Sequence, residues 1–254
     1  MKNQPTIIAY EMGLESTPLP AWTDDGSAIE FDSAPNKPVT RVGISEVPGA
    51  FQLLNVLNPN EADGFVQQTE QLGFHQDSPV SLPHHVRHNN NLNWIVSEKI
   101  DSTIWQRSKA HVPEVVDGQT ATGINARFRF YRYGIGDFFK THSDGAWPGS
   151  RVINGKLIND AYPGWYSQFT YLLFLNDDYE GGRTQFLVSK SNPGQPARTS
   201  EDIELVSVKT PKGAVLCFPH GSHPQHCLHG GESISTGTKY IIRTDILFGN
   251  KENT

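Results

Sequence analysis

The order of segments in this chain predicts a mainly β (α+β) fold: a double-stranded β-helix (jelly roll) with supporting helices packed on one sheet. Two observations carry that expectation. The helical patterns come first, ahead of Pro113, and after Asn125 only short apolar runs follow, each closed by a Gly-, Pro- or Asp-rich turn. With 36% hydrophobic residues in 254, one core can be filled, and no second domain shows. The expected division is a Pro-rich N-terminal extension over 1–45 and one domain over 46–250, its jelly-roll core at about 125–248.

In chain order, the segment before about Val42 is rich in Pro and polar residues and is expected to wrap the surface or stay partly mobile. A first helix is predicted from Asn60, acting as N-cap after Pro59, to Leu72, with Gly73 ending it and Ala62, Phe65, Val66 and Thr69 as its inner stripe. A second fits Ser97 to His111, placing Ile100, Ile104 and Trp105 on one face and stopping at Pro113. Strands are predicted at about 126–133, 138–143, 168–176, 183–189, 203–209, 213–218, 226–230 and 238–248.

Composition narrows the function. A formal net charge of −6 argues against a nucleic-acid partner, since phosphate-backbone binders present a basic face. The sequence holds neither an 18-residue apolar run nor a signal peptide, so a soluble cytoplasmic protein without membrane contact is expected. Cys217 and Cys227 fall near the same late segment and are expected to be reduced, buried thiols. No repeat suggests a solenoid, and the oligomeric state is not legible.

The chemistry-bearing residues sit in two places. His142 and Asp144 form a His-x-Asp at the end of a predicted strand, where side chains at i and i+2 point the same way, and His229 follows 87 residues after His142. Two imidazoles and a carboxylate on one face suit a mononuclear Fe(II) centre whose other face stays open. His220, His223, His226 and His229 recur every third residue, so spacing alone nominates any of them. Gly221, Ser222 and Pro224 place His220 and His223 in a turn, whereas His229 opens a strand, and the other three are read as turn or rim residues. Ten residues beyond His229 stands Lys239, on an alternating run where Lys239, Ile241, Arg243 and Asp245 share one face.

These segments closely resemble the Fe(II)/2-oxoglutarate-dependent dioxygenase superfamily and, within it, the prolyl 4-hydroxylase-like branch. The resemblance runs from about Val56 to Phe248. It includes Tyr-Gly-Ile-Gly from Tyr133, nine residues ahead of His142, the strand from Thr170 through Asn176-Asp177 to Glu180-Gly181-Gly182-Arg183-Thr184, and Leu228-His229-Gly230-Gly231 followed by Gly237-Thr238-Lys239. It implies that His142, Asp144 and His229 bind the metal. Lys239, helped by the Thr170 hydroxyl, would hold the distal carboxylate of 2-oxoglutarate, with Tyr133 near the carboxylate that chelates iron and Arg243 as the runner-up anchor. The implied cofactors are Fe(II), 2-oxoglutarate and O₂, with ascorbate open as an accessory reductant. The implied reaction couples decarboxylation of 2-oxoglutarate to succinate with C–H hydroxylation of a peptide (prolyl-type), a free amino acid or another small molecule. An intact Asp144 disfavours halogenation, because halogenating relatives replace that carboxylate with a small residue.

The substrate side departs from the branch. Asp245 stands where peptidyl-prolyl hydroxylases carry an aromatic residue, which puts a peptidyl-proline substrate in doubt. Arg243 either pairs with Asp245 or binds a carboxylate of cosubstrate or substrate. Arg87, Asn89 and Trp94 are candidates for a lid, and the loop from Trp147 to about Trp165 for a substrate cover. Two other classes stay open: a cupin-like metalloenzyme that does not use 2-oxoglutarate, against which Lys239 argues, and a silent binding module, against which the complete ligand set argues. If the ligands are as read, His229→Ala abolishes 2-oxoglutarate turnover and His226→Ala does not, and the reverse pattern refutes the assignment.

Overall fold

The computed structural model describes residues 4–33, 37–79 and 85–250. Residues 34–36 of the Pro-rich extension and 82–84, the start of the lid segment, lie outside these. Two sheets dominate. The larger orders its strands Thr6–Met12, Pro18–Thr23, Asn90–Ile95, Arg127–Tyr133, Lys239–Gly249, Tyr166–Phe174, Val215–Pro219, Phe51–Leu54 and Thr40–Gly43. The smaller runs Ile203–Val208, Thr184–Ser189, His229–Gly231, Phe138–His142 and Arg87–His88. All eight predicted strands are present, within about two residues at most ends.

Alternation along the central strands explains how one sheet serves two cores. On Arg127–Tyr133, Phe128 and Phe130 face the helices, while Tyr131 and Tyr133 face the smaller sheet. Tyr171 and Leu173 repeat the division against Leu172 and Phe174, as do Val215 and Cys217 against Leu216 and Phe218. The helix-side core stacks Trp94 on Phe130 at 5.8 Å and sets Phe65 edge-on to Trp94 at 6.2 Å. Cys217 and Cys227 are both free and buried.

Helix α1 spans Pro59–Leu72 and α2 spans Glu98–Ser108, continued by a 3₁₀ turn over Lys109–His111. The N-cap of α1 is Asn58, not Asn60. Pro59, which lacks an N–H, fits the first helical position, and Asn58 and Glu61 cap each other's backbone N–H reciprocally at 2.9 Å. Glu61, 2% exposed, also takes both arms of the Arg107 guanidinium of α2 at 2.8 Å, which ties the helices together. Burial alone would raise the Glu61 carboxyl, but Arg107 and the backbone donors outweigh it and hold the group below its usual value.

Two expectations change. The N-terminal stretch is not merely draped: Thr6–Met12 and Pro18–Thr23 form an antiparallel pair, and the second strand joins Asn90–Ile95 in parallel. Leu19 and Ala21 enter the core, and Glu11 accepts from Arg127 at 2.9 Å and Asn93 at 3.1 Å. The lid segment is also a strand. Trp94 is fully buried among the helix-side rings with its indole N–H on Asp24, so it cannot cover a site, and Asn89 is buried too. Removing Arg107 leaves Glu61 a buried charge with only backbone donors; Arg107→Ala is expected to lower stability by about 3 kcal/mol in urea unfolding, with the loss shrinking as the pH falls and Glu61 protonates.

Candidate metal centre and cosubstrate pocket

The smaller sheet delivers two of the three converging groups. His142 ends Phe138–His142 and His229 begins His229–Gly231, and these two residues are register partners. The strands can lie this close because Gly230 has no side chain; a Cβ there would sit 2.8 Å from the Phe139 carbonyl oxygen. Asp144 lies just past its strand. His142, Asp144 and His229 each offer an atom within 4.8 Å of the others, and no other such group of three occurs among the described residues.

The hydrogen bonds fix which nitrogens are available. Nδ1 of His142 lies 2.9 Å from the Lys140 carbonyl and Nδ1 of His229 lies 3.3 Å from the Cys227 carbonyl. A carbonyl only accepts, so each ring donates there and turns an Nε2 lone pair inward, 3.7 and 3.5 Å from the two Asp144 oxygens. Burial, then the neighbouring His229, pushes His142 down to about 4, so it stays a neutral ligand. Burial opposes charge on Asp144, yet the Arg243 guanidinium beside it holds it well below the usual carboxylate range. Two imidazoles that each turn Nε2 toward one carboxylate form a donor set that fits a divalent transition metal.

Asp144 is positioned from behind. Thr170 donates to its Oδ2 at 2.7 Å and meets Nδ1 of His220 at 2.8 Å, while Nε2 of His220 reaches Ser167 Oγ at 2.9 Å. Thr170 therefore bonds Asp144 and not Lys239: it pairs with Asp245 in register, six residues along the strand from Lys239. His220 is likewise no rim residue, being 1% exposed; the turn begins only after it. His226 points Nδ1 at the Gly221 carbonyl and His223 accepts from the Gln225 N–H, both outside the cluster.

A cavity of about 190 Å³ joins this centre to Lys239, Tyr133, Arg243, Arg129, Arg87 and Trp147. Lys239 is 4% exposed, ringed by Phe174, Tyr133 and Tyr179 at 5.1 to 5.9 Å. Its ammonium donates to the Gly182 carbonyl at 2.6 Å, in the positive-φ Gly181-Gly182 turn; among the described residues no carboxylate lies within 4 Å of it, and Glu232 acts on it from farther away. Burial pulls Lys239 down to about 8. Arg243 lies at the metal end, 3.4 Å from Asp144 and 3.0 Å from Asp245. Arg87 lies over Tyr131 and Phe139 at 5.3 and 5.4 Å, so of the three lid candidates it alone lines the cavity. The Trp147–Trp165 segment carries a small hairpin and places Trp147 over Arg129 at 5.0 Å.

No protein-family model matches this chain and no curated protein matches it in sequence. Among solved structures it is similar to a prolyl hydroxylase from Trichoplax adhaerens, in complex with a hypoxia inducible factor oxygen degradation domain peptide fragment. That likeness has a TM-score of 0.52 at 18% identity, over 81% of this chain and 86% of that one. It is also similar to the viral collagen prolyl hydroxylase of Paramecium Bursaria Chlorella virus-1, solved as a 2OG complex, with a TM-score of 0.50 at 16% identity over 82% of this chain and 100% of that one. The double-stranded β-helix of the prolyl hydroxylases is thus the fold of this chain. No helix among the described residues is long and apolar enough to cross a membrane.

His220 gives no sign in the sequence of being a site residue, and Thr170 is read there as a partner of Lys239, because the role of each is to hold another side chain. Thr170→Val, which keeps the shape and removes the donor, is expected to weaken Fe(II) binding about 10- to 100-fold in an anaerobic titration while leaving the melting temperature within a few degrees.

Proposed function

We propose that this protein is an Fe(II)- and 2-oxoglutarate-dependent oxygenase that hydroxylates a small molecule or a peptide. The observation that carries the reading is the pairing, in one cavity, of the His142–Asp144–His229 cluster with Lys239, a buried ammonium with no carboxylate within 4 Å among the described residues and only the more distant Glu232 to offset its charge. A buried cation is costly without a counter-ion, and the distal carboxylate of 2-oxoglutarate supplies one.

Bound iron and 2-oxoglutarate would supply the oxidising power. The chain's own residues do the rest. His142 and His229 turn their Nε2 atoms inward, and Asp144 gives a carboxylate kept ionised by Arg243 and oriented by Thr170. Lys239 would hold the far carboxylate of the diacid, and the Tyr133 and Phe174 rings around its ammonium would strengthen that ion pair by lowering the local dielectric. Tyr133 itself stays a neutral phenol, since burial drives its ionisation far out of range.

Anaerobic addition of Fe(II) and then 2-oxoglutarate should raise a weak visible charge-transfer band in the wild type and none in Asp144→Ala; iron binding without a band would instead support a cupin-like enzyme that makes no succinate. Affinity for 2-oxoglutarate should be constant below pH 8, where Lys239 is charged, and fall above it, because only the ammonium holds the dianion. Bound carboxylate raises that group further, so the fall is expected at a midpoint somewhat above 8 in calorimetry. Lys239→Ala should weaken cosubstrate binding about tenfold or more and abolish this pH dependence.

A further inference from the structure

We infer that the substrate of this site carries a carboxylate, and that Arg129 and Arg243, held side by side over Asp245, receive it. This rests on the reading just given and names the substrate class it leaves open.

Arg129 and Arg243 are register partners on adjacent antiparallel strands, and both line the cavity. They are only 6% and 7% exposed. Two guanidiniums placed together away from water repel each other, and burial with the Arg243 charge draws Arg129 down to about 10. The acid that reaches both is Asp245, fully buried, 3.7 Å from Arg129 and 3.0 Å from Arg243. It does not satisfy them. Nη1 of Arg129 and Nε and Nη2 of Arg243 have no hydrogen-bond acceptor among the described residues, and neither do the Asp245 oxygens have a donor. Asp245 holds the pair by charge without hydrogen-bonding it, and the unpaired N–H groups are closed off by the surrounding protein atoms.

The charges do not close without an anion. Asp144, the other acid near Arg243, is committed to the metal, and its charge is then shared with a dication. Against the two guanidiniums there remains Asp245 alone, an excess of one positive charge in a buried wall. Such a wall is matched by a flat monoanion with two acceptor oxygens, and the guanidinium fork fits a carboxylate in that way. The cosubstrate does not fill the role. Lys239 lies four residues from Arg243 on the same strand face, about 14 Å along the strand, so the two cations form separate anchors. The small cavity and Trp147 stacked over Arg129 favour a compact acid, such as a free amino acid or the C-terminal residue of a peptide, over an internal peptide segment.

The test titrates the protein, loaded anaerobically with Fe(II) and 2-oxoglutarate, with the free L-amino acids, with N-acetyl dipeptides bearing a free C-terminus, and with the carboxamide of each. Perturbation of the charge-transfer band and calorimetric affinity are read together. At least one acid should bind, with its amide weaker by about tenfold or more, and Arg129→Gln should lose the same factor while keeping the band. Binding of free amino acids alone assigns a small-molecule acid, and binding of the dipeptides assigns a C-terminus. Equal binding of acid and amide, no acid binding at millimolar concentration, or loss of the band in Arg129→Gln would overturn the inference. The acid–amide comparison uses the wild-type chain, so it decides even if the variant fails to fold. A missing band in the wild type would sink the cosubstrate reading, while calorimetry of acid against amide would still decide on the arginine pair.

Discussion

Side-chain alternation on Lys239–Gly249 is the constraint from which the site follows. One face of that strand, Ile242, Ile246 and Phe248, is locked into the helix-side core; the other, Lys239, Ile241, Arg243 and Asp245, is thereby forced into the space between the sheets. Shifting the pairing by one residue would bury the charges under α1 and α2 and expose the aliphatics to the cavity, so the packing of the core fixes the register of the chemistry. The neighbouring strands obey the same rule, which is why two arginines meet across Arg127–Tyr133 and why Thr170 arrives beneath Asp144.

Buried charge follows from this arrangement. Lys239, Arg129, Arg243, Asp144 and Asp245 lie in or against one small cavity, where a low dielectric makes each unpaired charge costly and each matched one strong. The helices, by contrast, are joined by an ion pair that is complete within the protein, Glu61 with Arg107. The difference separates the ion pair that joins the helices, complete within the protein, from the arginine pair beside the cavity, which Asp245 holds by charge without a hydrogen bond.

Local patterns carried much of this in the sequence. His142 and Asp144 could be read because i and i+2 share a side of an extended chain, and Lys239 because alternation placed it with Arg243. The Asn-rich run before Trp94 looked like a loop, since three asparagines mask a strand whose apolar members are only Leu92, Trp94 and Ile95. The N-terminal strands were hidden for a related reason: Pro18 and Pro20 read as breakers, yet they sit in a strand that joins its parallel neighbour only from Ala21 onward. His220 fell beside a Gly-Ser-His-Pro turn and was assigned to it, though it is the last buried residue before the chain bends. Each miss concerns a contact with a partner far away in the chain.

The string from Trp147 through Ser167 and His220 to Thr170 has a mechanical consequence. The Trp147 N–H donates to Ser167 Oγ at 2.8 Å, Ser167 meets His220, and His220 meets Thr170, whose only proton goes to Asp144. The backbone at Trp147 and the Asp144 carboxylate are therefore members of one proton-ordered relay, in which the direction of every bond is set by the one before. Lifting the tryptophan cannot be a local event: it frees an acceptor at Ser167, permits the imidazole to change tautomer, and so alters how firmly the hydroxyl holds the carboxylate on the far side.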